Sequence, residues 1–364
     1  MSSPLVAGAI ASVVLLLAPA ATPSIGARAA TPAGGASSDA DEAALAELDR
    51  AVEAARTLRY RGSLTVASFG QGGPQVTSVE VARSADGRLR AERRGAWELG
   101  RDADGSYLRT SRTGALLRLG GVSVRPFERD RFLRNYRIES GGTSQLDTGP
   151  ANVLLATRRD GDVRSETLHV DRETGLIVRR ETRDVDGRPV RVVAYTELEV
   201  DPATGLLTPP DADGEVERLS LTPVERRSLA DRGVPAAREL PGGFELLDAS
   251  EVETAEVPTV HLVYGDGLYT LSLYVQRGRL ATHATAEATR LDVPNGGAVW
   301  RWPGSEPRRV VWTGDGRTFT ALTDAPTGAL LTAVAALPSD PAPSTFRRLA
   351  RGLSRVGDRI LPPW

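Results

Sequence analysis

Residues 163–200 read VRSETLHVDRETGLIVRRETRDVDGRPVRVVAYTELEV, and the period of this stretch decides the fold. Within 163–170, 176–183 and 190–200 apolar and polar side chains alternate, the two-residue period of strands with one face toward a core and one toward water. Between these runs stand the turn at 171–175 and the pair Asp186-Gly187. Asp-Gly suits the positive φ angles of tight hairpins, so three strands joined by short connections form an antiparallel meander. The same punctuation recurs at Asp86-Gly87, Asp104-Gly105 and Asp160-Gly161, and the same period at Tyr60, Gly62, Leu64 and Val66 and again at 76–81. The sheet therefore extends back to about residue 60.

Ahead of it the period changes. Leu45, Leu48, Val52, Ala55 and Leu58 recur at steps of three and four, which predicts an amphipathic helix over 39–58 with Ser38 or Asp39 as its cap. Inside the sheet, residues 125–136 break the alternation and gather Phe127, Phe132, Leu133 and Tyr136, a helix or lid crossing the strands. A curved antiparallel sheet with a helix at each end has a concave face, either packed solid or holding an apolar ligand. Trp97, Phe127, Phe132, Leu133 and Tyr136 are the candidate lining of such a pocket. With only 5 Trp, 7 Tyr and 6 Phe in 364 residues, a solid core is the better expectation, although aliphatic lining stays open.

Past residue 201 the pattern weakens among Pro202, Pro209, Pro210, Pro223 and Pro235. The expected organisation is a β-rich domain at 42–205, a connection at 206–239 and a smaller α+β domain at 240–338. The last has strands at 259–264, 268–276, 298–302, 308–313 and 317–323, Asp-Gly turns at 266–267 and 315–316, and a closing helix at 327–336. Residues 339–364 are a Pro/Ser spacer and a basic amphipathic helix, in which Phe346, Leu349, Leu353, Val356 and Ile360 share a face beside five Arg. Such a helix suits peripheral contact with an anionic membrane surface, or docking on its own protein.

Composition narrows the function. The 45 basic residues, all Arg, nearly balance 47 acidic ones, which argues against a nucleic-acid partner. Cysteine is absent, which removes disulfides, thiolate chemistry and a lipoprotein anchor. Residues 4–22 are apolar and nearly uncharged, and Ala27 and Ala29 stand at signal-peptidase spacing. The N-terminus thus reads as a signal peptide at 1–29 followed by a flexible tail at 30–41, or as a retained anchor, since no Lys or Arg precedes the apolar run. Either reading exports the main body beyond the cytoplasmic membrane. His169, His261 and His283 show no HxH or HExxH spacing, and there is no Walker A, GxGxxG or GxSxG element. The expectation is a non-enzyme without metal or cofactor.

Two stretches resemble a known family. Asp171-Arg172-Glu173-Thr174-Gly175-Leu176 matches a D-x-x-T-G-L hairpin. Leu240-Pro241-Gly242-Gly243-Phe244, then Val260-His261-Leu262-Val263-Tyr264-Gly265-Asp266-Gly267-Leu268 and Leu271-Ser272-Leu273-Tyr274-Val275, are similar to the opening of a small domain. Both belong to the RseB/MucB sigma-E factor regulatory proteins, whose larger domain is similar to the lipoprotein carriers LolA and LppX. The family usually has Ser where Gly265 stands. The resemblance implies an α+β fold: a LolA-like curved antiparallel half-barrel with helices, plus a smaller C-terminal α+β domain. It also implies a negative regulator that binds and protects the extracytoplasmic domain of a membrane anti-sigma factor and senses a lipid or amphiphile. Tyr264, Gly265, Asp266, Gly267 and Leu268 are then the candidate partner surface. The competing reading is a LolA/LppX-like carrier of lipid or lipoprotein in the cell envelope, which has no need of residues 240–338.

Overall fold

The computed structural model describes residues 39–340 apart from 71–72, 103–104, 111–115, 119–128, 162–163, 185, 203–217, 253–257, 281–284, 286–287, 294–296 and 302–307. The export segment, the C-terminal basic helix, Phe127 and His283 lie outside the described residues.

The architecture is α+β: two open antiparallel sheets with few helices. Among the described residues the first sheet has eleven strands, in the order β6-β5-β4-β3-β2-β1-β11-β10-β9-β8-β7. Its first half runs through β1 (Tyr60–Gly70), β2 (Gly73–Arg83), β3 (Leu89–Arg93), β4 (Trp97–Asp102), β5 (Gly105–Thr110) and β6 (Leu116–Arg118). The return runs through β7 (Tyr136–Leu146), β8 (Gly149–Arg158), β9 (Arg164–Asp171), β10 (Ile177–Arg183) and β11 (Pro189–Val200). Two meanders thus meet where β1 pairs with β11, Leu64 opposite Tyr195 and Val66 opposite Val193. The turn between β9 and β10 has a local cause. The Asp171 carboxylate accepts from the N–H groups of Glu173 and Thr174 and from the Thr174 hydroxyl, at 3.1, 2.7 and 2.8 Å, and Gly175 takes φ +79°. An Asx turn followed by a left-handed residue needs this order of residue types.

Helix α1 (Asp39–Thr57) lies on the first sheet. Its buried stripe is Ala44, Leu48, Ala51, Ala54 and Ala55, with Leu45, Val52 and Leu58 half-buried beside it. The helix is therefore rotated from the leucine-rich face expected of it, toward its alanines. Small side chains let it approach the sheet closely: a Cβ on Gly175 would stand 3.2 Å from that of Ala54. Helix α2 (Arg129–Asn135) occupies the segment expected to cross the strands, and Tyr136 opens β7 directly after it.

Among the described residues the second sheet has nine strands: β12 (Arg218–Ser220), β13 (Glu239–Leu240), β14 (Phe244–Val252), β15 (Thr259–Gly265), β16 (Thr270–Arg277), β17 (Thr289–Asp292), β18 (Ala298–Arg301), β19 (Arg308–Gly314) and β20 (Arg317–Thr323). Helices α3 (Pro223–Ser228) and α4 (Thr327–Val334) accompany it. The stretch expected to be a connection is thus partly packed. β12 pairs with β14, a Thr222/Glu225 capping box starts α3, and Leu229 and Val234 are buried. Those two apolar residues give the Pro-rich segment something to bury.

One apolar cluster fills the space between α1, the far end of β1–β3 and β10–β11, around Tyr60, Leu64, Val79, Val178 and Tyr195. A second is continuous between the sheets. It joins Ala44, Leu48, Phe132, Tyr136, Leu154 and Leu168 to Leu240, Phe244, Tyr264, Leu268, Tyr269 and Trp312. The two sheets share a core across their seam.

Candidate functional site

The polar residues of the seam come from positions where a strand's inward period carries a charge. On β10 the buried side chains are Val178, Arg180 and Thr182, and Arg180 meets Glu166 of β9 through two hydrogen bonds of 2.9 and 3.0 Å. The Thr182 hydroxyl donates to the same carboxylate at 2.8 Å. From the second sheet, Asp324 lies 3.8 Å from the Arg180 guanidinium and accepts from the Thr270 N–H. Burial works against the Arg180 charge, yet Glu166 and Asp324 raise its pKa above the ordinary value, while burial pushes Asp324 up. A buried cation between two carboxylates joins the sheets electrostatically as well as by packing.

The turn at 264–268 sits beside this cluster. Tyr264, Gly265, Asp266 and Leu268 are buried and Gly267 half-buried. One oxygen of the Asp266 carboxylate accepts from the N–H groups of Leu268 and Tyr269 at 2.8 and 2.7 Å. The other accepts from the Tyr136 hydroxyl at 2.6 Å, with Arg158 at 3.5 Å. Asn135 donates to the Asp266 carbonyl at 2.7 Å, and Arg158 donates to the carbonyl of Gly242 at 3.1 Å. Burial pushes the Asp266 carboxyl up to about 6, opposed by Tyr136, the two backbone donors and Arg158. Above this, Phe132 stacks on Tyr136 at 5.3 Å, and Tyr269 meets Tyr136 edge-on while lying under Arg180. At the rim, Arg131 and Arg134 of α2 clasp Glu245 of β14 at 3.0 and 2.6 Å.

The structure therefore splits the residues expected to line a pocket. Phe132, Leu133 and Tyr136 face the seam cluster, Trp97 packs half-buried against the other cluster, and Phe127 lies outside the described residues. The turn expected to meet a partner is instead turned inward, against α2 and β8 of its own chain. An open cleft of about 480 Å³ does occur beside β1, β2 and β11, but Arg61, Glu80, Arg90, Glu92, Glu197 and Glu199 line it, a set unsuited to an acyl chain.

The histidines were the residues on which chemistry would rest. His169 Nδ1 is 2.8 Å from the Ser144 hydroxyl, and its Nε2 is 3.8 Å from Glu181. That carboxylate is held by Arg179 and Arg183, which leaves it poorly placed to orient the ring as a base. Burial lowers the His169 pKa. His261 stacks on Tyr274 at 4.2 Å. Among the described residues no group of three or more His, Cys, Asp or Glu converges as a metal site.

Arg180, Glu166, Arg158, Tyr269 and Asp324 did not figure among the expected site residues. Their signal was present: Glu166 and Arg180 fall on the inward positions of 163–183, beside Leu168 and Val178.

Comparison with known proteins follows the same segment. Residues 117–225 match the MucB/RseB N-terminal domain. The chain is 28% identical over 167 residues to the sigma factor AlgU regulatory protein MucB of Pseudomonas aeruginosa, an alignment covering 42% of this chain and 48% of the relative. The chain thus spans about half the length of that curated relative. The crystal structure of MucB is 21% identical, with a TM-score of 0.48, over 81% of this chain and 97% of that one. The Pseudomonas aeruginosa MucA/MucB complex gives 22% and 0.48, over 84% and 99%. The D-x-x-T-G-L hairpin at 171–176 lies inside the segment that matches the MucB/RseB N-terminal domain.

Proposed function

We propose that this protein is an extracytoplasmic negative regulator in a sigma-E type sigma-factor pathway, binding the extracytoplasmic domain of a membrane anti-sigma factor and shielding it from proteolysis. The observation that supports this most is the match of residues 117–225 to the MucB/RseB N-terminal domain, followed by a second sheet docked on the first through a shared core. A carrier built on the first sheet alone has no use for that addition. The apolar stretch at 4–22 supports export.

A lipid or amphiphile is the effector in this reading. The sheet face beneath α1 is filled by Tyr60, Leu64, Val79 and Val193, so an acyl chain enters there only by displacing α1 or the second sheet. Differential affinity for the opened and closed arrangements sets the response.

Calorimetry tests the reading: residues 31–364 are titrated with the extracytoplasmic segment of the anti-sigma factor encoded beside this gene. One-site binding that added amphiphile weakens is the expected result. No binding at high micromolar concentration, with lipid co-purifying, favours the carrier.

A further inference from the structure

The first sheet has an interior edge as well as two ends. β3 pairs with β2 only at residues 80–83, while β1 pairs with β2 along its whole length. Residues 73–79 of β2 therefore have β1 on one side and, among the described residues, no strand on the other. Residues 73–76 and 78 are exposed.

Beyond Pro74, whose missing N–H blocks pairing at its own position, this edge lacks the charges and bulges that block strand pairing. From Gly62 to Val79 no side chain is charged, in a chain that is 25% charged. Of the large apolar side chains exposed among the described residues, Phe69, at 42%, and Val76, at 67%, stand on this hairpin. Phe69 pairs with Pro74 and Ala67 with Val76, so all four side chains occupy one face, since directly paired residues point the same way. β7, at the end of the sheet, is the contrast. It carries Arg137 and Glu139 exposed, its register breaks at Gly141-Gly142, and α1 packs on it. Charges, bulges and cover are how proteins keep an edge from pairing.

We propose that residues 73–79 of β2, with Phe69 beside them, form a strand-addition site for an extended, uncharged segment of the partner protein. The proposal rests on the regulator reading and assigns it a contact surface. Strand addition takes its affinity from main-chain hydrogen bonds and its selectivity from alternate side chains. Here the alternation is Pro74, Val76 and Ser78 on one face, which selects apolar or small side chains across from them and gives a charged one nothing to pair with. A second copy of the chain fits less well, because so short an edge cannot bury the roughly 1,200 Å² or more of a stable dimer.

The test uses residues 31–364 and two probes: the whole extracytoplasmic segment of the anti-sigma factor encoded beside this gene, and overlapping peptides of it. Val76→Arg with Ser78→Glu guards the edge through two exposed side chains, and Thr143→Arg places a charge on β7 as control. The expected result is one uncharged peptide that binds the native chain, with binding of peptide and whole segment weakened at least about tenfold by the β2 double variant and unchanged by the β7 variant. If the whole segment binds native chain and double variant alike, strand addition at β2 is wrong and the regulator reading survives. If the whole segment fails to bind the native chain, both fall. Sedimentation showing a native dimer that the double variant dissolves assigns the edge to a second copy and overturns the proposal.

Discussion

Tyr136 and Asp266, 130 residues apart in the chain, meet through a 2.6 Å hydrogen bond in which the phenol donates to a fully buried carboxylate. One belongs to the first strand after α2, the other to the turn that opens the second sheet's hairpin. Their contact closes the seam that the shared apolar cluster begins, and it makes that seam sensitive to protons.

The sign follows from the direction of the shift. The Asp266 carboxyl titrates at about 6 in the folded chain against an ordinary 3.8. The folded state therefore holds this proton more tightly than the unfolded one, so the stability it adds is complete below about pH 4 and is lost as pH rises through about 6. Tyr136 and Arg158 face the carboxylate throughout, and neither loses its proton in that window. Relative to Asp266→Asn, the native chain should gain roughly 1.4 kcal/mol of stability between about pH 7.5 and pH 5, about one pKa unit of the shift. Urea midpoints of the two proteins at both pH values measure it. Parallel pH dependence would refute the assignment.

Arg180 should matter more than either carboxylate beside it. Arg180→Met leaves Glu166 and Asp324 buried, with Arg191 as the remaining cation near Asp324. Loss of one partner from a buried pair costs about 3–5 kcal/mol. Glu166→Gln keeps Asp324 opposite the guanidinium and keeps an acceptor for Thr182, so it should cost clearly less. Thermal unfolding of the two variants orders them, and a Glu166→Gln loss as large as that of Arg180→Met would contradict the cluster.

The meander over 163–200 was legible because its period and its Asp-Gly turns are local. So were β15, β16, β19 and β20, each within a few residues of its expected bounds. β12 and β14 were missed, because 218–220 is short and sits among prolines, and the pairing that makes it a strand is with residues over thirty positions away. The seam was missed for a different reason. Arg180 and Glu166 fall on the inward period of 163–183 beside Val178 and Leu168, but that period does not say that a second sheet covers them and pairs the charges. The turn at 264–268 was named as candidate partner surface on the strength of the family resemblance; its burial is decided by α2, from far earlier in the chain.

The rotation of α1 separates two leucines that the sequence placed on one face. Leu48 is 2% exposed in the seam cluster, whereas Leu45 lies at its margin. Leu48→Ala should cost about 2–5 kcal/mol through lost burial and the cavity left behind, and Leu45→Ala less than half as much. Denaturant unfolding of both variants distinguishes this rotation from the symmetric helix face read from spacing alone; equal losses would favour the latter.

Gly267 tests how firmly the turn at 264–268 is held. It has φ +96°, and a Cβ there would lie 2.3 Å from the amide nitrogen and 2.5 Å from the Cα of Phe132. Both are backbone atoms, so no rotamer change makes room and α2 itself must move. Gly316, with φ +72° in the turn between β19 and β20, has nothing within 4 Å of its Cβ position. The pair separates strain from collision. Gly316→Ala should cost about 1 kcal/mol, the penalty of a left-handed alanine. Gly267→Ala carries the same strain and in addition pushes α2 off the turn, taking with it the stacked Phe132, the Asn135 bond to Asp266 and the Arg131 clasp on Glu245. Amide exchange over 129–136 should quicken in Gly267→Ala and stay native in Gly316→Ala. Equal exchange in both would mean that the seam does not depend on this approach, and that the second sheet docks mainly through the apolar cluster beneath.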